Sequence, residues 1–492
     1  MDAVNDPVYG ANWYATAAGA RGLPRRALTR DIDVDVCVVG GGLAGLTTAR
    51  ELARRGWSVA LLEARRIAWN ASGRNAGFVL PGFNQGRERI VERVGRDQAR
   101  EIWSLAEEGM NYVRRAIRTD RIRAADPKRG WLEVKAVEAG AELAQQAEEL
   151  NTVYGTRAEF WQTDQVRAAL NSRRYHQAIY YPRAFHIDPL AYAGGLAAAA
   201  EAAGAAIYEQ TPAVAIDFDG IRKRVTTPQG RVRAEHIVLA GGTHMSGVLP
   251  SLEATLRPIW SYVVVTEPLG AALSEAVRFS GAVSEAEGSN HYRIVDGDRL
   301  LWCARITTWE RNASRFAAKL QGEIARTFPQ IGRPPIAHAW SGVFGNTIHR
   351  MPQIGCLRPG VWVANGFSGH GLNTSAMAGN LIAAGIAARD DRWRLFVPFE
   401  LIWAGGRAGQ AATQAYIWSR RFRARVARPL LAMFRAAPAA DDHEVAGDPQ
   451  DTSIAAAEPT LTGGNGRNRR GRKATPAALN DSVNRAVADG PV

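Results

Sequence analysis

From Val34 the chain runs VDVCVVGGG, a short and nearly unbroken apolar stretch of the kind that fits a strand buried on both faces. LAGLTTARELARRG follows with helical spacing and stops at Gly56, a natural C′ glycine, and WSVALLEA then reads as a second buried strand. The three segments make a βαβ unit. From about Gln85 to Ser172 the pattern predicts mostly helix, with DQAREIWSLAEEGMNYVRRAI and AELAQQAEELNTVYG amphipathic. An αβ stretch returns in DPLAYAGGLAAAAEAAGAAIYEQTPAVAID, and RAEHIVLAGG predicts another buried strand. Between Pro258 and Trp302 come short aromatic-rich runs, IWSYVVVTE, HYRIV and RLLWCARI, that predict an antiparallel sheet. A last strand, glycine-rich turn and helix lie in GVWVANGFSGHGLNTSAMAGNLIAAGIA.

Nucleotide-fold segments are thus interrupted twice by material of another type. The predicted class is α/β, α+β overall: a discontinuous Rossmann-like domain over 34–95, 185–250 and 340–390, with a substrate domain inserted as 96–184 and 251–339. Residues 1–33 are expected to pack on the nucleotide domain, 391–436 to be a basic helical segment and 437–492 a disordered tail.

Composition narrows this only a little. Hydrophobic content of 46% and charged content of 22% are those of a soluble globular protein. Cys37, Cys303 and Cys356 are far apart and form no CxxC, which argues against a disulfide framework or a metal site. The first 34 residues carry no apolar core of a secretory signal, and no run approaches a membrane span, so a cytoplasmic location is expected. Of the net charge of +13, RRFRARVARPLLAMFR, Arg420 to Arg435, contributes six arginines and no acid. A solvated basic helix accounts for it; a weak membrane-surface contact through 420–435 is the alternative, since Trp418, Phe422 and Val426 recur every four residues. No module for nucleic acid accompanies the charge.

The chemistry begins at Gly40, Gly42 and Gly45, a GxGxxG between buried strand and helix, with Glu63 ending the next strand about 20 residues on. Gly40 permits the turn, Gly42 lets the backbone reach a pyrophosphate, and Gly45 lets helix and strand pack closely. The helix start at Leu43 and Ala44 favours phosphate charge, and Glu63, beside Ala64 and Arg65, suits ribose hydroxyls. Only one complete fingerprint exists. GGTHMSG, which opens at Gly241, lacks the second glycine and the later acid, so a second site for nicotinamide is not expected.

Two further loops accompany the fingerprint. ASGRNAG, Ala71 to Gly77, offers Ser72, Gly73, Arg74 and Asn75 with little side-chain bulk. It suits a flat polar ring to which Arg74 and Asn75 donate hydrogen bonds. GFSGHGLNTSAMAG opens a helix at a glycine turn carrying Gly369, His370, Gly371 and Leu372; its N–H groups and dipole would stabilise an anion, and so a reduced flavin.

With these motifs the chain resembles the D-amino-acid oxidase/glycine oxidase superfamily of FAD-dependent oxidoreductases, and most the γ-glutamylputrescine oxidoreductase branch. The likeness rests on CVVGGGLAGLTTARELARRGWSVALLEA, WNASGRNAGF, HIDPLAYAGGLAAAAEAAGAAIYEQTPAVAI, TEPL, YRIVDGDRLLW, AWSGVFGNTIHRMPQIG and GFSGHGLNTSAMAGNLIA, in family order from about Tyr9 to Arg435. It implies non-covalent FAD with its adenosine end on Gly40, Gly42, Gly45 and Glu63, its adenine beside the Val214 backbone, and its ring between Ser72–Gly77 and Gly369–Leu372. It also implies oxidation of a C–N bond of a small-molecule amine: hydride passes to flavin N5 and the resulting imine hydrolyses. An inserted antiparallel sheet would roof the substrate. The acceptor would be O₂ or an electron carrier such as a quinone. A non-catalytic flavin-binding protein is the third alternative.

Two departures bear on substrate and acceptor. Amino-acid-oxidising relatives carry an arginine after the Trp-x-Gly, where this chain has Phe344, so an amine, N-substituted or derived from a polyamine, is favoured over a simple α-amino acid. Where relatives often have Gly-Gly after the RLLF strand, this chain has Cys303 and Ala304. Pocket candidates are Trp260, Tyr262, Tyr292, Trp302 and Trp340, as an aromatic cage, with Arg350 facing substrate or bracing its turn. No catalytic base and no metal ligands present themselves.

Overall fold

The computed structural model describes residues 9, 12–17, 24–245, 247–285 and 290–422. The tail expected over 437–492, and the basic stretch beyond Phe422, lie outside the described residues. Met1–Gln414 form one compact unit and Ala415–Val492 a second, of which only the end of the helix Gly406–Phe422 is described. No helix among the described residues is long and apolar enough to cross a membrane.

The buried runs of the sequence assemble into an eight-stranded sheet. Its spatial order is Gln353–Arg358, Val361–Asn365, Gly230–Leu239, Ile32–Val39, Val59–Leu62 and Ala206–Tyr208. The last five run parallel, Gln353–Arg358 is an antiparallel edge, and the hairpin Ala215–Asp217/Lys223–Thr227 pairs onto Gly230–Leu239. Val36 to Val39 and Val59 to Leu62 are wholly buried because helices cover one face and the chain around Leu28, Phe218, Met245 and Leu252 covers the other. The helix Leu43–Ala53 is buried nearly all round. Its small residues allow close approach to Gly371–Ala388, where a Cβ on Gly379 would stand 2.7 Å from Thr47 Cβ.

The second sheet has nine strands, ordered Ile336–Asn346, Arg257–Thr266, Arg299–Thr307, Asn290–Val295, Ala282–Glu285, Lys128–Val134, Ala178–His186 and Phe78–Val79, with Glu159–Trp161 beside Ala178–His186. It is antiparallel except where Ala282–Glu285 meets Lys128–Val134. Strands from both intervening stretches therefore share one sheet. The mostly helical reading of 85–172 misses Lys128–Val134, whose polar, glycine-containing start and bulge between Arg129 and Trp131 break the alternation, and Glu159–Trp161, which is three residues long. Both are ordered by pairing with Ala178–His186, and the first also with Ala282–Glu285.

The faces of this sheet set what can meet a ligand. Tyr262, Val264, Tyr292, Leu300, Trp302 and Ala304 pack with Leu320 and Ile324 of the helix Ser314–Thr327 in one core. Their neighbours Val263, Val265, Val295 and Leu301, with Trp340, join the core of the nucleotide-fold half instead. The second face is the underside of the roof.

Candidate functional site

The strand–turn–helix at Val38–Leu46 is built on glycine for steric reasons. Gly40 has φ +114° and its N–H donates to Leu62 O at 2.9 Å; a Cβ there would lie 2.5 Å from Ala240 O. A Cβ on Gly45 would lie 2.0 Å from Gly40 O. Glu63, 6% exposed, grips the turn: Oε2 accepts from Gly41 N at 2.7 Å and Oε1 from Arg65 N at 2.8 Å. Burial pushes its carboxyl up from the usual range, and the two backbone donors oppose that.

Leu43–Ala53 has no side-chain cap and no acid in its first turn, and Leu43 N donates to Ser72 Oγ at 3.0 Å. By contrast Asp188 caps Pro189–Ala202, accepting from Leu190 N and Ala191 N. An uncapped, positively polarised helix end beside bare glycine backbone and a hydroxyl fits a pyrophosphate. Arg65 lies 4.1 Å from the Trp69 ring centroid, and Trp69 packs on His244 at 5.0 Å, a stack at the same mouth that the sequence reading missed. A Cβ on Gly241 would come 2.3 Å from Met245 Sδ. Val214 is half-exposed and its N–H is spent on Thr226 O at 2.8 Å, which leaves its carbonyl as the backbone group for an adenine.

ASGRNAG corrects one expectation. Ala71–Arg74 is a single helical turn, and the Arg74 guanidinium donates to Trp69 O, Ser341 O and Tyr9 O at 2.9, 3.2 and 3.0 Å. Asn75 Nδ2 donates to Ala71 O and Ser72 O, while its Oδ1 accepts from Gly77 N. Both side chains brace the backbone rather than reach a ring. The backbone itself is held in a telling way. Four consecutive carbonyls each accept from a side chain brought from elsewhere: Gly73 O from Asn12 (2.9 Å), Arg74 O from Trp340 Nε1 (2.9 Å), Asn75 O from Tyr14 OH (2.9 Å) and Ala76 O from Arg293 Nε (2.7 Å). Across a trans peptide the N–H points opposite to the C=O, so the Asn75 and Ala76 N–H groups turn to the other side, as donors for the polar edge of a flat ring.

At the facing turn Gly366, Ser368 and Gly369 all have positive φ, at 68°, 54° and 83°, and Gly371–Ala388 starts without a side-chain cap or an early acid. Leu372 is buried. His370 Nε2 donates to Pro81 O at 3.0 Å, and burial pulls its pKa down to about 4. It is a neutral tie between two loops, not a free acid or base. The unfolded chain takes up a proton near pH 6.5 that folded His370 refuses until about 4, so stability should fall as pH drops through that window. The slope it adds is up to about 1.4 kcal/mol per pH unit. Urea midpoints measured across the window should flatten by one proton's worth in His370→Gln.

The aromatic cage is not assembled. Tyr262, Tyr292 and Trp302 are fully buried on the far face of the roof: Tyr262 stacks on Phe316 at 4.0 Å, and Tyr292 on Trp302 at 4.4 Å. Trp260 packs on that same side. Period two decides this, since alternate residues of each strand face opposite ways. Of the five only Trp340 lies on the underside. Phe344, four residues on in the same strand and so of the same parity, shares that face, and a Cβ on Gly369 would sit 3.1 Å from its ring. Arg350 is exposed, has φ +58° and closes its turn through Arg350 N to Thr347 O. The underside instead presents residues outside the candidate set: Cys303, whose thiol burial pushes up to about 12, His291, whose Nδ1 meets Ser284 Oγ at 2.9 Å, Glu133 and Arg293. Their parity with Val263 and Leu301 is the signal that would have found them.

Residues 35–384 match the family described as DAO: FAD dependent oxidoreductase. The chain is 30% identical over 390 residues to γ-glutamylputrescine oxidoreductase of Escherichia coli (strain K12), covering 78% of this chain and 91% of that one. It is 26% identical over 397 residues to glycine oxidase of Geobacillus kaustophilus, covering 76% and 98%. The solved glycine oxidase of Bacillus cereus superposes with a TM-score of 0.62 at 21% identity, over 74% of this chain and 97% of that one. An uncapped glycine cradle at one end, a loop with its N–H groups turned inward at the other and this run of similarity agree: the chain belongs to the DAO family of FAD-dependent oxidoreductases.

Proposed function

We propose that the protein oxidises a C–N bond of an amine, N-substituted or of the γ-glutamylputrescine kind, with O₂ as acceptor. FAD, when bound, supplies the site that receives hydride from the carbon beside the nitrogen. The chain's part is to position, desolvate and select. Gly40, Gly42, Gly45 and Ser72 would hold the pyrophosphate, and the Asn75 and Ala76 N–H groups the ring edge. The uncapped start of Gly371–Ala388 would oppose the negative charge that reduction brings. Val263 and Leu301 make the roof above apolar, which favours the neutral, unprotonated amine that hydride loss requires. Cys303 is held as a thiol and His291 as a neutral ring by burial, so neither supplies a charge there.

The observation that carries the substrate choice is Phe344, lodged against Gly369 where amino-acid-oxidising relatives place an arginine. A substrate carboxylate would lose a charge-assisted pair at that point, worth about 1.5–3 kcal/mol. Anaerobic bleaching of the flavin by γ-glutamylated and N-alkyl amines, with glycine and D-amino acids inert, is the expected result; rapid turnover of free amino acids overturns the reading. Phe344→Arg should lower KM for carboxylate-bearing amines by about 10-fold and raise it for those without. Oxygen uptake measured beside dye reduction tests the acceptor.

A further inference from the structure

We propose that Glu133 binds a second positive charge on the substrate, at the end remote from the reacting carbon. This rests on the amine-oxidising reading above. The roof's pairing register sets one line of residues across adjacent strands: Val263 opposite Cys303, Cys303 opposite His291, His291 opposite Ser284, and Ser284 opposite Glu133. Directly opposed residues share a face of a sheet, so all five lie on the underside with Val263. Phe78, which follows Gly77, packs edge-on against His291 at 6.2 Å, so the line passes over the loop assigned to the ring. Strands are about 4.8 Å apart, which places Glu133 about 10 Å beyond His291.

Glu133 is an unusual group to find there. Burial pushes its carboxyl up from the usual range, yet Cys303, His291 and Glu133 all keep some accessible surface, so this part of the underside is not sealed. The Tyr181 hydroxyl donates to Oε2 at 3.3 Å, and among the described residues no cation stands within ion-pair distance of it. The two cations whose fields reach it are engaged elsewhere. Lys135 Nζ is 3.5 Å from Glu142, and Arg87 is 3.7 Å from Glu149 with its guanidinium 5.9 Å from both the Trp103 and Tyr154 ring centroids. Trp131 stacks on Tyr181 at 4.4 Å beside the carboxylate. A desolvated carboxylate with aromatic neighbours and no counter-ion recognises an alkylammonium. The substrate class is therefore an elongated amine with a terminal ammonium, such as an aminoacylated diamine or a long polyamine.

Glu133→Gln keeps the size of the side chain and its bond from Tyr181 but removes the charge. Calorimetry with 1,8-diguanidinooctane, a dication that does not turn over, should show about 100-fold weaker binding to the variant, while octylguanidine binds both proteins alike. In anaerobic mixing, 1,8-diaminooctane should show the same rise in KM with an unchanged limiting rate of flavin reduction. Equal effects on mono- and dication, no effect on either, or wild-type protein that does not prefer the dication would overturn the assignment. Glu133→Asp, which restores the charge, should recover part of the preference and so separates loss of charge from misfolding. If no amine bleaches the flavin of the wild-type enzyme but the binding difference stands, the amine-oxidising reading fails and the Glu133 site survives.

Discussion

Gly45→Ala is expected to give a folded protein that binds FAD at least about 100-fold more weakly than wild type, a loss of about 2.7 kcal/mol. The added methyl would lie 2.0 Å from Gly40 O and 3.2 Å from Val38 Cγ1, the first of which is backbone and cannot rotate away. The helix Leu43–Ala53 must move off the strand by roughly 1 Å to restore contact distance. It has little room for that, because Thr47 and Ala44 O on its other side already meet the bare backbone of Gly379, within 2.8 Å of where a Cβ would be. The strain therefore falls on the turn, and the Leu43 and Ala44 N–H groups leave the line on which a pyrophosphate would sit. Titration of apoprotein with FAD, followed by flavin fluorescence, measures this. Gly56→Ala is the matched control: Gly56 has φ +82° but nothing within 4 Å of a Cβ, so about 1 kcal/mol of backbone strain and no change in FAD affinity are expected. Wild-type affinity in Gly45→Ala would remove the helix start from the cofactor site.

The contrast between the two glycines reflects which parts of the site sequence alone can carry. The fingerprint is local: Gly40, Gly42, Gly45 and Glu63 are fixed by one strand, one turn and one helix, and the chain shows all of it within 30 residues. The loop proposed to hold the ring is not fixed locally. Arg74 and Asn75 look like ligands because polar side chains in a small-residue loop have no visible partner in sequence. Partners of Arg74, Ser341 O and Tyr9 O, come from distant segments, and those of Asn75 are backbone groups of the loop itself, which appear only once Ala71–Arg74 turns as a helix. The roof fails for a different reason. Aromatic residues mark IWSYVVVTE and RLLWCARI as strands correctly, but in a sheet covered on both faces the larger side chains fill whichever core is deeper. Here that is the core under Ser314–Thr327, where Tyr292 and Trp302 meet Phe328. The underside is left with Ser261, Cys303, His291 and Glu133, of which only Cys303 stands out in the sequence. Pairing register, which no single strand encodes, is what aligns them.

Arg293→Met should destabilise the protein by about 3–5 kcal/mol and also weaken FAD binding by at least about 10-fold. Arg293 is 5% exposed, and its donors reach in several directions at once: Nε to Ala76 O at 2.7 Å, Nη1 to His186 Nδ1 at 3.0 Å, and Nη2 to Tyr14 OH at 3.1 Å and Ile187 O at 2.9 Å. Methionine fills the volume but leaves these buried acceptors without donors. Lysine should do little better, since three donors on one tetrahedral nitrogen cannot span the spread of a planar fork. The flavin consequence follows through Tyr14. Without Nη2 the Tyr14 hydroxyl loses its anchor, its hold on Asn75 O loosens, and the 75–76 peptide, which carries the Ala76 N–H, loses its fixed direction. His186 supplies an independent reading. Burial first, and the neighbouring guanidinium second, hold its pKa down to about 3, so removing the cation should raise it while leaving it below 6.5. Denaturant midpoints, FAD titration and the His186 titration by NMR test the three parts separately. A variant with lost stability but unchanged FAD affinity would confine Arg293 to the scaffold. One with unchanged stability would mean that the carbonyls it holds find other donors, and the inward-facing N–H groups of Asn75 and Ala76 would then need another explanation.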